Sequence, residues 1–214
     1  VLTHADGTVV NTLAGTIALT GNTINLGADV NAVGGNDISV NGATTLTSGV
    51  TVSSGANGGD VTFASTVDGG QDLVVTSGTG TVNFNGDVGT NIALNSLNVT
   101  GATTIAGVDV TADNNVDLNS NVSLTTGAVA VTSNAGDITF GGAIDGAVDL
   151  TIAATLGDTQ IVGAVGAVAP LTTLTATNGG DFTADGTMTT VGDMTVDADG
   201  DLEFGGNLAA GGDM

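Results

Sequence analysis

The densest set of chemically capable side chains is the run DADGD, in which Asp197, Asp199 and Asp201 alternate with small residues. Alternating aspartates can converge oxygens on a hard cation such as Ca²⁺, and Gly200 permits the sharp bend that convergence needs. The run lacks the spacing and terminal glutamate of an EF-hand. It also lacks the glycine-rich nonapeptide repeat of calcium-binding β-rolls, which GGND from Gly34 and GGQD from Gly69 only echo. A solvated Asp-Gly turn is the plainer reading of the same residues. Asp197, Asp199 and Asp201 are therefore the candidate metal ligands, and calcium is the candidate cofactor.

Other chemistry finds less to work with. His4 is the only histidine, and with no Cys, Lys or Arg in the chain it reads as a surface residue rather than as part of a triad or a zinc site. Paired carboxylates can hydrolyse glycosides, but every Asp sits in a similar turn phrase and no unique cluster breaks the pattern. Tyr and Trp, the usual sugar platforms, are absent. No catalytic residue is assigned, and the chain reads as non-enzymatic. Thr-x-Thr pairs at Thr45/Thr47, Thr79/Thr81, Thr173/Thr175/Thr177 and Thr187/Thr189 raise ice binding. They do not recur along the sequence at a constant phase, so they read as ordinary outward β-branched residues.

The elements that would hold these residues follow from composition and repetition. The chain has 214 residues, 41% of them hydrophobic, with 36 glycines and one proline. Val, Ile, Leu and Ala dominate, and Thr, Asn, Asp and Gly supply tight turns, which suits short strands and excludes disorder. There is no lysine or arginine against 22 acidic residues, of which only Glu203 is a glutamate, so the net charge is −22. Phosphate binding depends on Lys and Arg, so nucleic acid is excluded as a partner and anionic membrane surfaces are disfavoured. Cations are the natural counter-charges. No apolar run is long enough to span a membrane. The lack of cysteine, and of any trypsin-type cleavage site, suits a bacterial exported protein at an extracellular or cell-surface location.

Internal repetition decides the fold class. GDVTFASTVDGGQDLVV, from Gly59 to Val75, matches GDITFGGAIDGAVDLTI, from Gly136 to Ile152, at eight of seventeen positions, with three further Val/Ile exchanges. The same offset continues without a gap, so that 59–99 matches 136–176. Within this long repeat runs a shorter phrase, Gly-Asp/Thr-hydrophobic-x-Phe, starting at Gly59, Gly80, Gly136 and Gly200, with degenerate forms at Gly157 and Gly180. Around these starts hydrophobic and polar residues alternate in short runs, the pattern of half-buried strands, and no helical stripe is sustained. Two or three short strands per ~21 residues predict an all-β, parallel β-helix (β-solenoid) of about ten rungs, with 1–214 as one domain. At about 4.8 Å per rung this makes a rod of about 50 Å. Val61, Phe63, Val82, Phe84, Ile138, Phe140 and Leu150 are predicted to point inward, and GDITFGGAIDG to form one rung. A β-sandwich is the alternative that short strands also fit.

The units TVNFNGDVGTNIALNSLNV (Thr81 to Val99) and TQIVGAVGAVAPLTTLTA (Thr159 to Ala176) resemble repeats of the filamentous-haemagglutinin-like bacterial surface adhesins. The shared phrase is Val-Gly followed by a Leu-x-x-Leu-x-hydrophobic strand, here Leu94, Leu97 and Val99, and again Leu171, Leu174 and Ala176. The resemblance implies a right-handed helix, export, and a role in adhesion, biofilm or surface filaments. It covers most of the chain after residue 59.

The two ends suggest continuation. The chain stops at GGDM in mid-phrase, and Ala5-Asp6-Gly7 matches Ala198-Asp199-Gly200. The expectation is an uncapped rod, either part of a longer repeat array or a subunit that self-associates end to end into filaments. The competing function is a ligand-binding solenoid for ice, a glycan or a host receptor.

Overall fold

A computed structural model describes residues 2–4, 10–12 and 15–214, with 2–4, 11 and 12 described as backbone only. Strands of two to thirteen residues wind as a β-solenoid, each pairing in parallel with a strand about one turn away. Three inward-facing strands make each turn, so the coil has three sides, here called faces 1, 2 and 3 after the order in which the chain first visits them. No helix occurs among the described residues.

One column of stacked residues defines each face. Face 1 runs Leu2, Ile24, Thr44, Val67, Val88, Val110, Val131, Ile152, Ala176, Val196. Face 2 runs Val10, Val30, Val52, Val75, Val99, Leu118, Phe140, Ile161, Ala184, Phe204. Face 3 runs Ile17, Ile38, Val61, Val82, Thr103, Val122, Ile144, Val165, Met188, Leu208. Each column has ten levels, so nine turns separate its ends, which at about 4.8 Å per turn gives a rod about 43 Å long. The inward positions Val61, Phe63, Val82, Phe84, Ile138 and Phe140 are fully buried, and Leu150 is buried. Phe63 stacks on Phe84 with ring centroids 5.5 Å apart, an offset geometry that in-register parallel strands enforce.

The predicted phrase is placed differently from expectation. GDITFGGAIDG supplies two strands, Ile138–Phe140 on face 2 and Ile144–Asp145 on face 3, rather than a whole rung. The long repeat likewise does not span whole turns. Val61 lies on face 3 and its match Ile138 on face 2. Leu73 on face 2 matches Leu150 on face 1, and Val88 on face 1 matches Val165 on face 3. Every matched strand is moved by one face. The repeat therefore advances the coil by three and two-thirds turns, because all three faces accept the same alternating strand.

The corners carry most of the conformational constraint. Ser54, Ser77 and Ser133 are buried where the chain turns from one face to the next, and each Oγ donates to a corner carbonyl: Gly59 at 2.5 Å, Gly80 at 2.9 Å and Gly136 at 2.7 Å. That satisfies backbone acceptors which the turn would otherwise leave dry. The repeated Val-Gly phrase marks another corner. Gly89 has φ of 70°, and a Cβ there would lie 2.0 Å from the Thr111 carbonyl oxygen of the next turn. Gly166, its match, has φ of 67° and would meet the Thr189 oxygen at 2.3 Å. A Cβ at Gly70, by contrast, would meet only the Ala93 carbonyl oxygen at 4.0 Å, an ordinary contact. Gly89→Ala is expected to destabilise by about 2 kcal/mol or more, from left-handed strain plus the backbone clash. Gly70→Ala should stay within about 0.5 kcal/mol of the parent. Chemical denaturation of the pair reads this directly, and equal midpoints would refute the assignment of the corner.

Candidate functional site

The polar chemistry of this chain lies on its corners, and the geometry there is that of a ladder. In the second half of the coil the Gly-Asp phrase sits between faces 1 and 2. There the side-chain oxygen of one level accepts the backbone N–H of the equivalent residue one turn on. Asn115 Oδ1 accepts from Asp137 at 3.0 Å, Asp137 from Asp158 at 3.0 Å, Asp158 from Asp181 at 2.8 Å, and Asp181 from Asp201 at 2.8 Å. In the first half the same device stands between faces 2 and 3, where Asp37 accepts from Asp60 and Asp60 from Thr81. The change of corner is the one-face shift of the long repeat seen from outside.

Every one of these links runs the same way, from a side-chain oxygen to the N–H of the following level, and in most the oxygen is a carboxylate's. The charged acceptor makes each bond stronger than a neutral one, while the stacked like charges oppose it. Asn115 and Asn121 play the same part without charge, Asn121 accepting from Ala143 at 3.0 Å. The bond rather than the charge is thus what the corner uses.

Face 2 carries a second network, along a shallow groove lined by Asp72, Asn95, Ser96, Asn98, Asn114 and Asp117. Asn95 Nδ2 and Ser96 Oγ both donate to Asp72 at 2.6 Å, and Asn114 Nδ2 donates to Asn95 Oδ1 at 2.8 Å. The Ser96 and Asn95 hydrogen bonds hold the Asp72 carboxyl below its ordinary range. These groups are spent on each other and brace neighbouring turns.

The candidate calcium ligands fall on the last complete turns. Asp197 and Asp199 border a small groove with Thr155, Thr177 and Asn178, whereas Asp201 belongs to the corner ladder through its N–H. Among the described residues no three His, Cys, Asp or Glu side chains form a metal-holding group. The side chain of His4 and the Ala5-Asp6-Gly7 match lie outside the described residues.

Sequence reading missed a threonine array on face 1. Register places Thr151, Thr175 and Thr195 in one outward column, above Ala130. A second column holds Thr111, Thr132 and Thr177, with Ala153 between the last two. Of the sequence pairs, only Thr175/Thr177 lies within it. The steps from Thr111 to Thr132, from Thr151 to Thr175 and from Thr175 to Thr195 all differ in length, so no constant period reveals the columns. The outward sites of five parallel strands, read against inward neighbours, were the signal that could have found them.

No protein-family model, curated protein or solved structure matches the chain. The class that the geometry defines is thus a parallel β-solenoid with carboxylate-braced corners.

The ladder is testable through Asp158, whose side chain is exposed. Asp158→Asn keeps the acceptor and relieves repulsion, so its stability should equal or exceed that of the parent. Asp158→Ala removes the acceptor and should cost about 1 kcal/mol. Thermal melts of the two variants separate the readings: an alanine variant as stable as the asparagine one would show that the bond contributes nothing.

Proposed function

We propose that the chain is a structural, extracellular rod that forms part of a bacterial surface adhesin or a head-to-tail filament. The observation that carries this reading is the run of three largely apolar columns, in which only Thr44 and Thr103 are polar among the described side chains, braced at every described turn by backbone pairing and at many corners by a side chain. Such a core resists bending and shear because each turn buries its inward residues only against its neighbours. The repeat phrases that resemble filamentous-haemagglutinin-like adhesins support the bacterial surface setting, and the lack of Lys and Arg supports an exposed, protease-rich one. The work is mechanical rather than enzymatic, and self-association is its natural partner interaction.

Calcium belongs to the same proposal as a counter-charge. Asp197, Asp199 and Asp201 lie within five residues of one another on an acidic exterior that no Lys or Arg of the chain neutralises. Electron microscopy of the purified chain, with calcium and again with a chelator, tests both parts. Long uniform fibres are expected, shortened or lost on chelation. Fibres indifferent to the chelator would remove calcium from the proposal, and isolated short rods in both conditions would remove the filament.

A second reading is favoured by the threonine array, which suits a surface that orders water or ice. Neighbouring strands set hydroxyls about 4.8 Å apart along the rod, and alternate residues set them about 6.7 Å apart along a strand. Within the two columns the one charge is Asp197, and Asp149 flanks them beside Thr151, in a chain of net charge −22. A thermal-hysteresis assay decides: a freezing gap abolished by Thr175→Lys is the expected result under this reading, and no gap in the parent protein ends it.

A further inference from the structure

We infer that Asn57 is a site of spontaneous covalent modification, at which the side-chain amide is lost to attack by the Gly58 backbone nitrogen and an acidic residue is left. The inference stands apart from the filament reading, since it concerns the chemistry of one corner.

The reaction needs only an asparagine followed by a reachable backbone nitrogen. The Gly58 nitrogen gives its proton to solvent and attacks Asn57 Cγ. The new N–Cγ bond forms, the Cγ–Nδ2 bond breaks, and the amide leaves as ammonia with a proton taken back from solvent. Water then opens the resulting succinimide ring at one of its two carbonyls. One opening yields aspartate, and the other yields isoaspartate, whose main chain is longer by one methylene. Water is the only co-reactant. The fold must leave the glycine nitrogen unheld and the segment loose enough to bring it onto Cγ.

Four Asn-Gly pairs occur in the chain, at Asn41, Asn57, Asn85 and Asn178. The fold withholds three of them. Asn178 is buried, its Nδ2 donates to the Asp181 carbonyl at 3.0 Å, and the Gly179 N–H donates to Ala154 at 2.8 Å. Both of its reacting groups are thereby committed. Asn41 and Gly42 lie inside the strand Ile38–Leu46, where a Cβ on Gly42 would lie 1.8 Å from the Gly21 carbonyl oxygen. That backbone is wedged against the turn below. Asn85 is exposed, but it follows directly on the strand Asp72–Phe84 and its own N–H donates to Phe63 at 3.0 Å.

Asn57 is the exception. It is exposed in the corner between faces 2 and 3, ahead of the strand Val61–Phe63. The N–H bonds of this corner stop at Gly55, which donates to Ser53 Oγ at 3.2 Å, and resume at Asp60, which donates to Asp37 at 2.9 Å. Between them the N–H groups of Ala56, Asn57, Gly58 and Gly59 have no partner among the described residues. Gly58 has φ of 99°, and a Cβ there would meet only the Thr79 hydroxyl, the end of an exposed side chain. A glycine-rich segment pinned at its rims and unbonded between them opens at far lower cost than a paired strand. The product places a new carboxylate at the corner that already holds Asp37 and Asp60, in a chain of net charge −22. Its isoaspartyl form also lengthens a corner whose climb is fixed by strand pairing.

The full chain is held at neutral and at mildly alkaline pH, both folded and in denaturant, and sampled over time. Trypsin has no site in it, so a protease that cuts before aspartate is used. The peptides 37–59, 72–86 and 158–180 then carry all four pairs. Mass spectrometry reads the conversion of amide to acid at each asparagine. In the folded chain conversion at Asn57 is expected to lead the other three and to quicken with pH, because the nucleophile is a deprotonated amide. In denaturant the gap between Asn57 and Asn178 is expected to close. Conversion in the folded chain no faster at Asn57 than at Asn178, or a gap as wide in denaturant, would overturn the inference. Asn57→Gln is the control, a change on an exposed side chain. The early gain of negative charge on isoelectric focusing should be lost in this variant, and a gain as fast as the parent's would overturn the assignment to Asn57.

Discussion

Parallel backbone pairing between successive turns is the constraint on which everything else in this molecule depends. Because each strand bonds to the like strand one turn away, inward residues must stack on inward residues, and every corner must return the chain to the same height. Volume can then be traded within a column, as Phe140 between Leu118 and Ile161 shows, but phase cannot. The corner devices follow from this. A turn that climbs by one strand spacing leaves carbonyls and N–H groups without strand partners, and the chain supplies them locally: inward serines for the carbonyls, outward carboxylates for the N–H groups.

Charge is the surprising ingredient. A chain with no cationic side chain stacks aspartates in register, an arrangement that repulsion should oppose. It is tolerated because Asp137, Asp158 and Asp181 each accept a backbone N–H and face solvent, where screening is strong. The acidic exterior and the hydrogen-bonded corner are thus one feature, and they tie the rod's behaviour to salt and to cations. The same feature gives the rod a direction, since every ladder bond points from one level to the next.

The surface is divided in use. Corners carry charge, face 2 carries an amide-rich network closed upon itself around Asp72, and the later levels of face 1 carry threonines. A mechanical role makes use of the first two, which brace neighbouring turns. The threonine array braces nothing by side-chain bonding that the geometry records, and for that reason it alone supports a reading of the rod as a surface that meets something.

How much of this was legible in the sequence divides along a physical line. Alternation of apolar and polar residues is local, with a period of two, so the all-β class, the short strands and the inward set from Val61 to Leu150 could be read from the chain alone. The length of one turn was legible too, because neighbouring copies of the Gly-Asp phrase from Gly59 to Gly80 and from Gly136 to Gly200 recur at about one turn's length. Gly89 and Gly166 could be matched to each other because their phrase repeats, but their corner role appears only in the backbone conformation. What the sequence by itself did not determine was the face to which each strand belongs. That depends on the summed lengths of corners, which differ from turn to turn, and it is settled only when the hydrogen bonds between turns close in register. Hence GDVTF and GDITF, near-identical in sequence, lie on different sides of the rod, Thr151, Thr175 and Thr195 meet in one column without a sequence period, and Asp201 joins a ladder rather than a turn shared with Asp197 and Asp199. Local pattern chooses inside or outside; only the closed coil chooses the side.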